Sequence, residues 1–431
     1  MKPQLLIGAM HSGSGKTTFT MGILRALQRQ GLQVQPFKCG PDYIDTRFHA
    51  VAAGRESVNL DTWLASEHHV QDLYARHGAP ADACVVEGVM GLFDGYARME
   101  GSSAGIAQLL DLPVLLVVGA RSMAYTVAAL LHGMKTFRPG LRIAGVVFNQ
   151  VSSEQHERFL RDACEDAGLR CFGALPKAPD LAVPSRHLGL TLAAGQEMEA
   201  WIGRAADLVE QHVDVAGLME AVKVPWRAPA VRPAQPAGRL RIAVARDAAF
   251  NFTYVENLAR LAQLGPVTYF SPLAGDPLPD SDLVYLPGGY PELFAAELSA
   301  RSALRRQLRD FAEADGRILA ECGGMIYLSQ AIEGVAGGPY PMCGILPFAA
   351  TMAGARLHLG YRRLVDARGR EWRGHEFHYS EVTAPGAWPS CATQFTARGE
   401  AVSTPLYRYK QVLAGYTHLY WGEADLLKLW D

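Results

Sequence analysis

The residue whose surroundings point most directly to chemistry is Cys322, in the segment 317–328, RILAECGGMIYL. An apolar run, a Cys-Gly-Gly turn and a second apolar run predict a strand, a sharp turn and a helix. On such a turn we expect the sulfur to be exposed and the N-terminus of the following helix to lower the pKa of the thiol. Gly323 and Gly324 permit the tight backbone. The pattern therefore predicts a cysteine nucleophile, while the other six cysteines are interpreted as packing residues.

A nucleophilic cysteine needs a base and donors for an oxyanion. His418, in GYTHLYW, is the best candidate base, and His375 and His378, in GHEFHYS, compete with it. If GHEFHYS is a strand, the spacing of its two histidines places them on opposite faces, so they cannot jointly bind a metal. Gly288 and Gly289 follow another apolar run. Their N–H groups could form an oxyanion hole, and a structural turn is the alternative.

The segment 8–18, GAMHSGSGKTT, is typical of a loop that binds phosphate. It lies between a predicted strand and a predicted helix, where glycines let backbone N–H groups face the phosphates. Lys16 would reach the outer phosphates and Thr17 would ligate magnesium. Met10 stands where the motif usually has its first glycine. The residues assigned to the nucleotide here are Gly13, Ser14, Gly15, Lys16, Thr17 and Thr18.

Acidic residues follow the next two predicted strands of the same half. In PFKCGPDYID, Lys38 could neutralise a phosphate or a substrate carboxylate, and Asp42 and Asp45 could hold magnesium or a polar substrate. A Gly-Pro turn with solvated charges is the alternative. Glu87 ends an apolar strand beside the phosphate loop, a position that commonly completes a metal site. Asp94 is either a further acidic group of that site or a turn residue.

Apolar runs alternate with helical patterns along the whole chain. In the first half we predict strands at 5–9, 33–37, 83–87, 114–118 and 143–149 and a helix at 16–30. In the second half we predict strands at 240–245, 267–270, 283–286 and 318–320 and helices at 255–263 and 304–314. Alternation of this kind predicts α/β domains with parallel sheets. A proline- and alanine-rich stretch at 222–238 divides them, so we predict domains at 1–222 and 239–431 and a linker at 223–238.

The composition excludes several classes of protein. With 41 basic and 43 acidic residues in 431, and a net charge of -2, nothing indicates a nucleic-acid partner. Seven cysteines without CxxC spacing argue against disulfides or structural zinc and favour a reducing cytosol. The longest apolar run, 113–120, is too short to span a bilayer. We therefore expect a cytoplasmic protein without a membrane partner. The oligomeric state stays open, with a homodimer as one alternative.

In the first half, SGSGKTT, PFKCGPDYIDTRFH and EGVMGLFDG, in this order and spacing, resemble the cobyrinic acid a,c-diamide synthase family. This half is also similar to dethiobiotin synthetase, a carboxylate-activating ATPase. Cobyric acid synthase normally has a different segment in place of GPDYID and ranks lower. The resemblance implies ATP and Mg²⁺ as cofactors, with Thr17, Asp45 and Glu87 at the metal and Lys38 at the nucleotide. Asn149 would contact the adenine.

The resemblance also implies the roles of further residues. Catalysis or substrate placement would fall to Asp45, Glu87 and Asp94, and substrate binding to Asp42. The segment 176–189, PKAPDLAVPSRHLG, resembles a family segment in which Arg186 and His187 line the pocket; a capped loop entering a helix is the alternative. The family often has aspartate where this chain has Gly119, so a metal or water contact from that strand end is in question.

The second half resembles class I glutamine amidotransferase domains of the type fused to such ATPases, which implies a flavodoxin-like fold. Most relatives place a glutamate two residues after the histidine; Tyr420 stands there, and this fusion type characteristically lacks the glutamate. The resemblance implies a ligase that takes ammonia from L-glutamine and amidates the a and c acetates of a corrinoid through an acyl phosphate. Another tetrapyrrole, such as nickel-sirohydrochlorin, or an ATPase switch protein with a degenerate amidotransferase domain, is the alternative.

Overall fold

The computed structural model describes residues 1–181, 195–229, 238–334, 337–383 and 388–431. The chain divides into two compact units, Met1–Arg232 and Pro233–Asp431. Both are built of strands and helices in alternation, which confirms the predicted α/β class with two domains.

Unit 1 is built on a parallel sheet with strand order β3-β2-β4-β1-β5-β6-β7. A short strand, β8, pairs antiparallel with β1. The central strands are buried along almost their whole length, as expected for a sheet covered on both faces. The strands are β1 (Lys2–Ala9), β2 (Val34–Cys39), β3 (Val58–Leu60), β4 (Ala83–Glu87), β5 (Val114–Gly119), β6 (Ile143–Val151), β7 (Cys171–Pro176) and β8 (Lys223–Val224).

The helices of unit 1 connect these strands. The first, α1, begins at Lys16 directly after the glycine-rich loop and buries Phe19, Ile23 and Leu27, the face predicted from their spacing. The helices are α1 (Lys16–Arg29), α2 (Asp45–Ala53), α3 (Glu67–Gly78), α4 (Ser103–Leu110), α5 (Val127–Thr136), α6 (Glu154–Asp166), α7 (Gly195–His212) and α8 (Val215–Ala221). A short 3-10 helix spans Pro179–Leu181.

Part of the predicted linker is structured. Residues 223–224 form β8, and the Trp226 ring lies under the Lys2 ammonium, 3.5 Å from Nζ to the ring centroid. Residues 230–237 lie outside the described residues. The exact boundaries of the linker stay a prediction.

Unit 2 is centred on a sheet with strand order β10-β9-β11-β12-β22-β21, parallel except for its last pair. Alternate residues of β9 belong to separate core clusters: Ala243 and Ala245 to one, Ile242 and Val244 to the other. Both faces of this sheet are therefore buried. Its strands are β9 (Ile242–Ala245), β10 (Val267–Phe270), β11 (Leu283–Leu286), β12 (Arg317–Glu321), β21 (Leu406–Tyr409) and β22 (Val412–Gly415).

Two further sheets were not predicted from sequence patterns. One has the order β14-β13-β15-β18, and the other, antiparallel throughout, has the order β20-β19-β16-β17-β23. Their strands are β13 (Ala331–Gly334), β14 (Gly337–Pro341), β15 (Ala349–Thr351), β16 (His358–Asp366), β17 (Glu371–His378), β18 (Glu381–Val382), β19 (Ala392–Thr396), β20 (Ala401–Val402) and β23 (Thr417–Tyr420).

The helices of unit 2 are short. The 3-10 helices span Pro291–Phe294 and Leu426–Trp430. The α-helices are α9 (Val255–Leu264), α10 (Ala295–Ala300), α11 (Ser302–Glu313) and α12 (Gly323–Leu328).

The packing of α1 against α7 makes a stability prediction at Gly22. A Cβ there would lie 2.5 Å from the Ala205 carbonyl oxygen and 2.6 Å from Val209 Cγ2, so Gly22→Ala forces these helices apart. We expect a loss of about 1–3 kcal/mol in the free energy of unfolding. The control is Gly133→Ala in α5, where a Cβ meets open space and alanine gains up to about 1 kcal/mol. Denaturant unfolding of both variants checks this, and equal effects would contradict the packing.

Candidate active sites

The phosphate loop connects β1 to α1 and lines a cavity of about 840 Å³ in unit 1. Gly13 and Gly15 have φ of 82° and 96°, values in the left-handed region that glycine adopts without strain. The Lys16 ammonium donates to the Met90 carbonyl at 2.6 Å. Other predicted residues that line the cavity are Thr17, Thr18, Lys38, Asp42, Glu87 and Asn149.

A buried ionic cluster lies at the carboxyl ends of β2 and β4. Lys38 Nζ is 2.7 Å from Asp45 Oδ2 and 3.0 Å from Glu87 Oε1. Burial alone would raise the pKa of the Glu87 carboxyl, but Lys38 and His49 hold it well below its usual range. Burial alone would lower the pKa of the Lys38 ammonium. The negative charges of Asp45 and Glu87 outweigh this effect and raise the pKa above its usual value. The structure thus brings Lys38 into contact with Asp45 and Glu87, the two carboxylates that the resemblance assigned to the metal.

His49 is a member of this cluster that sequence reasoning missed. Its Nε2 lies 2.7 Å from Glu87 Oε2 and its Nδ1 lies 2.9 Å from Ser57 Oγ. The ring is fully buried in α2. The available signal was spacing: His49 follows Asp45 by one helical turn, so both project from the same face of α2.

The cluster suits a divalent cation beside bound phosphates. The Thr17 hydroxyl donates to Glu87 Oε1 at 2.7 Å, so a hydroxyl and a buried carboxylate lie together at the start of α1. Hard oxygen donors of this kind are the ligands that Mg²⁺ prefers. Thr17 and Glu87 therefore fit the predicted metal site. Asp45 contacts Lys38, and Lys38 in turn contacts Glu87.

The remaining predicted residues of unit 1 differ in placement. Asp42 Oδ1 accepts the N–H groups of residues 44 and 45, both at 2.8 Å, and so begins α2. Asp94 is exposed and accepts the Gly91 N–H at 2.8 Å, the contact expected of a turn residue. Asn149 Nδ2 donates to the Ser14 carbonyl at 3.1 Å, so it holds the phosphate loop, and its adenine contact stays a prediction.

Three further positions of unit 1 were singled out in the sequence, namely Arg186, His187 and Gly119. Arg186 and His187 lie outside the described residues. A Cβ on Gly119 would lie 3.5 Å from Ser14 Cα, so the end of β5 runs close to the phosphate loop.

Cys322 lies at the predicted turn between β12 and α12, with φ of 48° and ψ of -106°. A non-glycine residue with positive φ is strained, as expected for a sharp elbow. Two expectations were wrong. The side chain is buried, with 3% exposed, because the core of unit 2 surrounds it. Burial and the Glu292 charge raise the pKa of the thiol, although the Gly323 N–H acts in the opposite direction.

His418, in β23, lies against the segment predicted to bind the oxyanion. A Cβ on Gly288 would collide with the His418 ring, so only glycine lets the ring occupy this position. Burial, followed by the neighbouring His375 charge, lowers the pKa of His418 to about 3. The imidazole is therefore neutral at physiological pH.

Gly289 lies close to the elbow on its other side. Its nitrogen is 3.0 Å from where a Cβ on Gly323 would be. A backbone N–H group beside the N-terminus of α12 is consistent with an oxyanion hole. The assignment of Gly288 and Gly289 to that hole stays a prediction.

The two competing histidines occupy different positions. His375 pairs with His418 across β17 and β23. The His378 ring stacks on Tyr416 at 3.6 Å between centroids, and its Nε2 contacts Glu376 Oε1 at 2.7 Å. His358, Glu376 and His378 have ligand atoms within 4.8 Å of one another. Arg362 also binds Glu376, so this carboxylate already has a cationic partner.

Glu321 is a second residue that sequence reasoning missed. Its Oε2 accepts the Tyr285 hydroxyl at 2.7 Å and its Oε1 accepts the Leu419 N–H at 2.9 Å. Burial raises its pKa to about 8. Because Glu321 precedes Cys322 and Leu419 follows His418, this carboxyl ties the strand of the predicted nucleophile to the strand of the predicted base.

Comparison with known proteins places both units. Residues 5–190 match the CobQ/CobB/MinD/ParA nucleotide binding domain, and residues 241–426 match the CobB/CobQ-like glutamine amidotransferase domain. A hydrogenobyrinate a,c-diamide synthase of Brucella abortus is 40% identical, over 97% of this chain and 99% of that protein. The chain belongs to the a,c-diamide synthase family. The predicted family resemblance is confirmed.

Other members of the a,c-diamide synthase family give the same result. A cobyrinate a,c-diamide synthase of Syntrophotalea carbinolica is 41% identical, over 97% of this chain and 96% of that protein. A hydrogenobyrinate a,c-diamide synthase of Mycobacterium bovis is 42% identical, over 88% of this chain and 86% of that protein. This family membership makes the chain an amidating ligase with a nucleotide-binding domain. Among the described helices, none is long and apolar enough to cross a membrane.

The contact between His49 and Glu87 makes a prediction for metal-dependent nucleotide binding. We expect His49→Ala to raise the Mg²⁺ concentration needed for half-maximal ATP binding by about 10- to 100-fold, because the carboxylate loses the partner that orients it. His49→Gln, which can place an N–H near the position of Nε2, should lose less. Titration of Mg²⁺ against a fluorescent ATP analogue measures this. The control is His68→Ala, at an exposed position of α3; equal loss in both variants would contradict the role of His49.

Proposed function

We propose that this protein amidates the a and c acetate carboxylates of cobyrinic or hydrogenobyrinic acid, with ATP and with ammonia from L-glutamine, in cobalamin biosynthesis. The observation that carries the proposal is that one chain holds both a strained Cys322 elbow and a phosphate loop joined to a buried carboxylate cluster. The elbow packs on Gly289, and the neighbouring Gly288 lies against the His418 ring. The names of the relatives support a corrinoid substrate rather than another tetrapyrrole.

In unit 2, Cys322 would open glutamine. The thiol proton passes to His418, and Sγ attacks the amide carbon of the side chain. N–H groups near Gly288 and Gly289 would stabilise the oxyanion. The C–N bond breaks, ammonia leaves with a proton from the imidazolium, and water hydrolyses the thioester to glutamate. Thiol and imidazole are both neutral in the resting site, so attack depends on proton transfer within the complex with glutamine.

In unit 1, a substrate carboxylate would be activated. Its oxygen attacks the γ-phosphorus of ATP, ADP leaves, and an acyl phosphate forms. Ammonia then attacks the acyl carbon and phosphate leaves. Lys16 and the loop N–H groups would hold the phosphates, and Thr17 and Glu87 would hold Mg²⁺, which neutralises charge on them. Lys38 would meet the negative charge of the substrate carboxylate or phosphate. Asp45, Asp94, Asp42 and His187 remain the proposed positions for catalysis and corrinoid contact.

Separating the two sites tests this assignment. We expect Cys322→Ser to abolish amidation with glutamine and to keep amidation with free ammonium, since only the ammonia source is lost. Cys391→Ser, at a partly exposed cysteine of the same unit, is the matched control. Product formation with each nitrogen source measures the outcome. Loss of both activities in a folded Cys322→Ser protein would count against separate sites.

The reciprocal variant is Lys16→Ala, with Lys223→Ala at an exposed position as its control. Removing the phosphate-binding ammonium should stop amidation with either nitrogen source and preserve release of glutamate. Normal amidation by Lys16→Ala would overturn the assignment of the phosphate loop.

A further inference from the structure

Glu292 is a buried carboxylate without a cationic partner among the described residues. It lies in the 3-10 helix Pro291–Phe294, three residues after Gly289, and is 8% exposed. Its carboxylate accepts a hydrogen bond from its own backbone N–H, and burial raises its pKa to about 7. Taking a carboxylate out of water costs several kcal/mol unless a cation compensates it. A cation from outside the chain would therefore stabilise the ionised form of Glu292.

The short helix that carries Glu292 packs against the Cys322 elbow. Pro291 Cδ lies 2.8 Å from where a Cβ on Gly323 would be, so the helix adjoins the N-terminus of α12. The Glu292 charge raises the pKa of the Cys322 thiol and contributes to the raised pKa of Tyr416, after burial in both cases. The carboxylate and the nucleophile thus share one region of unit 2.

Three buried carboxylates act electrostatically on Cys322, and two of them have other partners. Glu321 accepts hydrogen bonds from Tyr285 and from the Leu419 N–H. Glu376 accepts from Arg362, His378 and Thr404, at 3.1 Å for the threonine. Glu292 differs from both, because its carboxylate is not occupied by another side chain in the described structure.

Glutamine carries one cationic group, its α-ammonium, and this charge is opposite to that of the Glu292 carboxylate. Its α-ammonium is separated from the amide carbon by three carbons, so a molecule whose amide lies at Cys322 Sγ places a cation a short distance from the sulfur. We propose that Glu292 binds the α-ammonium of glutamine and thereby selects α-amino acid amides for Cys322. This inference rests on the proposed function, in which Cys322 opens glutamine.

The test uses the full-length protein and two amides that differ only at the α-carbon: glutamine, and glutaramate, which lacks the α-amino group. Release of ammonia from each is measured for the wild type, Glu292→Gln and the control Glu297→Gln, at an exposed position of α10. We expect the wild type and the control to prefer glutamine. Glu292→Gln should raise KM for glutamine by about 10- to 100-fold, the range of a lost charge-assisted contact, and leave the kinetics with glutaramate unchanged.

Several results would overturn the inference. An unchanged KM for glutamine in Glu292→Gln would show that the carboxylate does not bind the ammonium. An equal loss of kcat with both amides would assign it to the thioester chemistry instead. Release of ammonia from neither amide by the wild type would contradict the proposed function itself, and so is distinguishable from these results.

Amidation with free ammonium, together with thermal unfolding, shows whether Glu292→Gln remains folded. If it does not, Glu292→Asp keeps the charge on a shorter side chain. That variant should retain a preference for glutamine over glutaramate, with a smaller rise in KM. Loss of the preference in a folded Glu292→Asp protein would overturn the inference.

Discussion

Compensation of buried charge at the carboxyl edge of the parallel sheet is the constraint on which unit 1 depends. Lys38, Asp45 and Glu87 are each almost fully buried, and an unpaired ion there would cost several kcal/mol. Their contacts fix β2, β4 and α2 relative to one another. Because Thr17 also binds Glu87, the same network attaches the phosphate loop to the strand ends. Packing requirements and the proposed chemistry therefore depend on the same residues.

Unit 2 handles burial in the opposite way, by keeping its reactive groups neutral. Burial raises the pKa of Cys322 and lowers that of His418, so the resting pair is a thiol and an imidazole. Such a pair is a weak nucleophile until a substrate changes its surroundings. Glu321 holds β12 and β23 together through its hydrogen bond to the Leu419 N–H. It does not stand in for the glutamate that most relatives place two residues after the histidine, where this chain has Tyr420. In the proposed function, binding of glutamine therefore precedes activation of the thiol.

Local patterns were sufficient for most strands of the parallel sheets and for the motif residues, whereas β3, β7 and β22 were not predicted. The strands at 83–87, 267–270 and 283–286 have the predicted ends, because short apolar runs bounded by polar residues determine them. The strands of the two further sheets escaped prediction because many of their residues are only partly buried, as in β16, so that no continuous apolar run distinguishes them. Glu321 escaped prediction because its hydrogen-bond partners, Tyr285 and Leu419, lie on other strands. His49 shares a helix face with Asp45, but only the fold brings it to Glu87. Glu292 is distinguished by its burial, which no local motif predicts.

The most direct test of the account is the mass of the product. The purified protein is incubated with ATP, glutamine labelled with ¹⁵N in its amide, and either hydrogenobyrinic or cobyrinic acid, and the corrinoid is analysed by mass spectrometry. The account predicts conversion of two carboxylates to amides in at least one substrate, with the label in both. Hydrolysis of ATP without any change in the mass of either corrinoid would contradict it.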